Sequence, residues 1–122
     1  MSKIIAVDFD GTLCEYAWPR IGEPNKDLIS YLLNEQKTGT KLILWTCRVG
    51  EKLWEAVCWC SKHGLVFDAI NDNVQEAITM FGGDSRKVYA DIYIDDHAST
   101  DFTLPFRKGT NNKNIPIKEE NT

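Results

Sequence analysis

Two carboxylates one residue apart, Asp8 and Asp10 in IIAVDFDGTL, follow directly on a run of apolar residues. A second acidic pair, Asp95 and Asp96, closes another such run in KVYADIYIDD. Crowded carboxylates that are partly removed from water repel one another, so the arrangement is stable only when a cation or shared protons compensate. Donors that are all oxygen point to Mg²⁺, which commonly takes one or two carboxylates and leaves positions for water and substrate phosphate. No cluster of His and Cys suggests zinc. With such a cation in place, one member of the Asp8–Asp10 pair can act as a nucleophile and the other as a general acid and base. Gly11 permits the tight turn that follows. The hydroxyl of Thr46 and the ammonium of Lys87 suit the oxygens of a transferring phosphoryl group, whose transition state needs positioning and charge compensation.

Such side chains have to be delivered by strand ends. KIIAVDF is apolar without alternation, the pattern of a strand covered on both faces. TKLILWT (40–46) and LVFDAI predict further strands, and KVYADIYIDD (87–96) predicts the fourth. Between them, Leu28, Ile29, Leu32 and Leu33 recur at helical spacing up to Gly39, and Leu53, Trp54, Val57, Cys58 and Cys60 form a second stripe that stops at Gly64. Asn71, Asp72 and Asn73 mark the start of a last helix. Residues 11–24 show no period and predict a loop or short flap. Strands alternating with helices imply a parallel sheet with right-handed crossovers, which binds ligands at the carboxyl ends of its strands.

DFDGTL, ILWT, Lys87 and YIDD, in that order, resemble the four motifs of the haloacid dehalogenase-like (HAD) superfamily of phosphohydrolases, over residues 4 to 98. The resemblance implies an α/β, Rossmann-like three-layer sandwich with a mostly parallel sheet of order 3-2-1-4. It implies an Mg²⁺-dependent phosphomonoester hydrolase in which Asp8 attacks phosphorus to give an aspartyl-phosphate, and Asp10 protonates the leaving oxygen and then activates water. Thr46 and Lys87 bind the phosphoryl group in that scheme. Asp8, Asp95 and Asp96, with the Asp10 backbone carbonyl, hold the metal in it. Gly11, Thr12 and Arg48 are read as candidates for contact with the substrate. The flap at 13–24 is too short for a cap domain, so the likeness is to a capless member. In similar small proteins Arg often stands where His97 stands here, which leaves the phosphorylated substrate open.

The chain has 122 residues, which suits one domain. It is read as a single catalytic unit over 1–104 and a flexible tail over 105–122, the latter for its low apolar content. Eighteen acidic against fourteen basic residues give a formal charge of −4, so no broad basic surface is available for duplex nucleic acid. No run approaches the length of a membrane span, and the first residues lack a signal-peptide core, so a cytoplasmic protein is expected. The partner expected is a small phosphorylated molecule; monomer and homo-oligomer both remain open. Cys14, Cys47, Cys58 and Cys60 lack paired metal spacing and read as reduced thiols. Arg48 has the planar fork that suits an anion, and reads equally well as a solvated loop residue. Arg86 and Lys62 compete with Lys87 as the source of the cation. Tyr16, Trp18 and Arg20 lie on the flap, where packing on the domain is favoured over stacking on a substrate. A rival reading is a non-catalytic phosphoacceptor or metal-binding regulatory module.

Overall fold

A computed structural model describes residues 2–95 in full and the backbone of residues 117–119. The element order is β1 (Ile4–Val7), α1 (Lys26–Lys37), β2 (Lys41–Leu44), α2 (Gly50–Lys62), β3 (Ala69–Ile70), α3 (Gln75–Phe81), β4 (Ile92–Ile94) and β5 (Ile117–Glu119). The sheet has the order β3-β2-β1-β4-β5. Its first four strands are parallel, as the apolar runs predict, and β5 adds to β4 in the antiparallel sense. That last strand falls within the segment read from composition as a tail.

Every residue of β1 is fully buried, because helices cover both faces of the central strand. On one face Ile5, Val7 and Phe9 pack with Leu28 and Leu32 of α1 and Ala56 and Cys60 of α2. On the other, Ile4, Ala6 and Ile43 pack with Val74 and Ala77 beside α3. Complete burial of a side chain such as Ile or Leu stabilises by about 1.5–3 kcal/mol, so this strand is anchored through its side chains as well as its ladder. Its carboxyl end is therefore a rigid place from which to present Asp8.

Helix boundaries follow local chemistry. Asn25 caps α1 by accepting from the Leu28 N–H at 3.2 Å, and its amide donates to the Thr12 carbonyl, tying the helix start to the turn after β1. The α3 start differs from the expectation. Val74, without a side-chain cap, precedes the helix, while Asn71 and Asn73 have other partners. Trp54, placed on the buried stripe by its spacing, is 68% exposed, because the inner face of α2 is centred on Ala56 and Cys60.

The expected flap is an ordered strap. Cys14 bridges Pro24 in the antiparallel sense, Glu15 N–H donates to the Glu23 carbonyl at 2.8 Å, and Asn25 N–H donates to the Leu13 carbonyl at 2.8 Å. The two arms come so close at Gly22 that a Cβ there would sit 2.3 Å from the Glu15 carbonyl oxygen. Leu13 and Cys14 are buried at its base, while Tyr16 and Trp18 reach the surface.

Candidate functional site

Parallel register sets the geometry of the strand ends. Val7 of β1 stands opposite Leu44 of β2 and Ile94 of β4, so Asp8 follows at one edge with Asp95 beside it and Trp45–Thr46 on the other side. The Asp8 N–H donates to the Ile94 carbonyl at 2.9 Å, and the Trp45 N–H to the Val7 carbonyl at 2.9 Å, continuing both ladders past the strands. One oxygen of Asp8 accepts from the Phe9 N–H at 2.8 Å, which fixes its rotamer. Gly11, with φ +79°, takes the left-handed turn that brings the chain back over the edge. The early acidic pair and Asp95 thus meet at one rim. Asp96 and His97 lie outside the described residues.

Asp10 is held from the β2 side. Its two carboxylate oxygens accept from Nε and Nη2 of Arg48 at 2.8 and 2.7 Å, the parallel pairing for which a guanidinium fork is built. Arg48 does not face solvent. It is 2% exposed, and it also donates to the carbonyls of Arg20 (3.1 Å) and Lys52 (3.3 Å). Its guanidinium carbon lies 5.1 Å from the centre of the Phe9 ring and 4.9 Å from that of Trp18. The hydrogen bonds that Arg48 donates to Asp10 raise its pKa above the ordinary value, against the lowering effect of burial.

Thr46 is held as well. Its N–H donates to Oδ1 of Asn71 at 2.8 Å and its carbonyl accepts from Nδ2 of Asn71 at 2.9 Å, so one side-chain amide stands in for a further ladder residue. Asn71 does this from a left-handed conformation, φ +54°, which Asn tolerates better than other residues with a Cβ. The Thr46 hydroxyl accepts from the Arg48 N–H at 3.1 Å. Thr12 is buried, and among the described residues its hydroxyl has no hydrogen-bond partner.

Lys87 is exposed, and among the described residues its ammonium meets no carboxylate. Its segment is fixed through the backbone: Asn73 donates to the Asp84 carboxylate and the Ser85 carbonyl and accepts from the Tyr89 N–H, while Ser85 donates to the Lys87 carbonyl. Lys62 lies in the last turn of α2, whose first turn is the end next to β2's carboxyl terminus, so this rival cation is remote from the acidic rim. Arg86 is exposed next to Lys87.

The structure of a conserved protein coded by a locus from Bacteroides thetaiotaomicron is similar to this chain, with 45% sequence identity, a TM-score of 0.68, and coverage of 79% of this chain and 77% of the other. The chain belongs to that protein's family. The likeness shows a shared fold, and the description of that relative names no activity. No protein-family model and no curated protein match the chain.

For a metal, the described donors are Asp8 and Asp95 at neighbouring strand ends. Two carboxylates are what Mg²⁺ commonly takes from protein when water and phosphate complete its shell. The Asp10 carboxylate is committed to Arg48, which leaves its backbone carbonyl as the metal donor named by the resemblance. Among the described residues no group of three or more His, Cys, Asp or Glu side chains is placed to hold a metal ion. No helix among them is long and apolar enough to cross a membrane. A shallow groove of about 520 Å³ lined by Gln75, Glu76, Thr79 and Met80 lies along α3; Glu76 is bonded to Ser2 there, and none of the strand-end carboxylates lines it.

Proposed function

We propose that the chain hydrolyses phosphomonoesters with Mg²⁺ as cofactor. The observation that supports this most is the register that sets Asp8 and Asp95 side by side at the carboxyl ends of adjacent parallel strands, with Asp10 two residues on. In this reading Asp8 attacks phosphorus as the ester oxygen leaves, forming an aspartyl-phosphate. Asp10 gives a proton to the leaving oxygen, and in the second half takes one from the water that attacks the acyl phosphate. Thr46 and Lys87 meet the phosphoryl oxygens, the latter by swinging a flexible stem from its exposed loop. Asp8, Asp95, Asp96 and the Asp10 carbonyl would hold Mg²⁺, which neutralises charge on the phosphoryl group when bound.

Purified protein with Mg²⁺ is expected to release phosphate from an aryl phosphate, and Asp8→Asn to reduce release to background with the fold intact by circular dichroism. Release that survives the substitution removes Asp8 as the nucleophile. A second reading draws on the Arg48 pair, which commits both oxygens of Asp10 to a buried guanidinium. A regulatory module that takes a phosphoryl group on Asp8 and keeps it would show a stable phosphoprotein and no turnover.

A further inference from the structure

Arg48 is the only donor to the Asp10 carboxylate among the described residues, so whatever fixes Arg48 fixes Asp10. Its guanidinium has two walls. The inner one is Phe9, fully buried and packed edge-on against Trp59 with ring centres 5.4 Å apart, which belongs to the core. The outer one is Trp18, carried by the strap and 48% exposed, together with the Arg20 carbonyl two residues on. The sheet thus supplies one side of the clamp and the strap supplies the other.

We propose that Trp18 is a positioning residue for Asp10. By covering the outer face of the guanidinium it keeps Arg48 bidentate on the carboxylate, so the strap sets where Asp10 points. A cation lying on an aromatic face and shielded from water is held more firmly than an exposed one, in both its charge interaction and its rotamer. Removing the ring opens Arg48 to water and lets the Asp10 rotamer drift, and a misplacement on the order of 1 Å at a reacting group costs up to about a hundredfold in rate.

For turnover this proposal rests on the hydrolase reading, so its test carries a readout that needs no turnover. In protein labelled with ¹⁵N at arginine, the Arg48 Nε–H, bonded and buried, is expected to give a resonance protected from exchange with water. Trp18→Ala should abolish that protection, and Trp18→Phe should restore it by returning a ring. With p-nitrophenyl phosphate, Trp18→Ala is expected to lower kcat by about ten- to a hundredfold with KM little changed, with recovery in Trp18→Phe. Trp54→Ala, which removes an exposed Trp from α2, should leave both readouts at wild-type values. Loss of Arg48 protection in Trp18→Ala, in a wild-type protein that turns over no phosphoester, would support the clamp while removing the hydrolase. An Arg48 resonance unchanged in Trp18→Ala overturns the proposal whatever the activity.

Discussion

Two cations of the chain stand in opposite surroundings. Arg48 is sunk beneath the strap, bonded to one carboxylate and two carbonyls and faced by two rings, whereas Lys87 stands on an exposed loop whose backbone is fixed and whose ammonium is unpaired among the described residues. The contrast follows from their chemistry. A guanidinium is planar, weakly hydrated and always charged, so it tolerates burial when its forks are filled; an ammonium is compact and strongly hydrated and stays in water unless a partner repays its desolvation. Of the two side chains read as candidates to meet an anion, the arginine is thus part of the protein's interior and the lysine stands exposed.

This difference can be broken from the Arg48 side with the largest effect. Arg48→Ala strands the Asp10 carboxylate, which is only 17% exposed, without its partner. A loss of about 3–5 kcal/mol is expected, visible as a lower urea midpoint. Replacing both members, Arg48→Met with Asp10→Leu, should recover much of it. If the single variant is as stable as the parent, the pair contributes nothing and the clamp has no energetic basis.

From the Lys87 side the same kind of substitution should separate activity from stability. Lys87→Ala is expected to change stability by less than about 0.5 kcal/mol while lowering kcat/KM for aryl phosphate on the order of a hundredfold. An inactive Arg86→Ala beside an active Lys87→Ala would move the role by one residue. The strap gives an intermediate test. Gly22→Ala forces a methyl group against the Glu15 carbonyl and should cost about 1–3 kcal/mol, with accelerated proteolysis between residues 14 and 24.

A last effect, confined to alkaline pH, concerns the core beneath the clamp. Burial pushes the Cys60 thiol from 9.0 up to about 12. The folded chain therefore keeps the neutral thiol where the unfolded chain ionises. The stability this gives is fully present below about pH 9 and is lost as pH rises toward 12, giving a gradual alkaline weakening in pH-dependent urea titrations that Cys60→Ala should flatten.

Much of the frame is legible in the sequence. The unbroken apolar runs of β1 and β2 announced a doubly covered parallel sheet, and the order of strands followed from the resemblance. What escaped was set by contacts distant in sequence. Trp54 fits the helical stripe by spacing, yet periodicity cannot say how wide a face the sheet will cover. Asn71 resembled a helix cap because Asn serves both purposes; only the fold brings its amide against Thr46. Arg48 offered two local readings, whereas its pairing with Asp10 depends on a strap whose arms close through Gly22. The acidic rim was legible as residue types, whereas the partner of each acid was not.

The ends of the sheet carry a consequence for how copies of this chain behave at high concentration. At one margin β3 pairs over just two residues, and at the other the reversed β5 occupies the side of β4 that would otherwise be open. A foreign strand seeking backbone donors and acceptors finds a two-residue foothold at β3 and a three-residue one at β5, so ribbon-like growth from molecule to molecule has little template to start on.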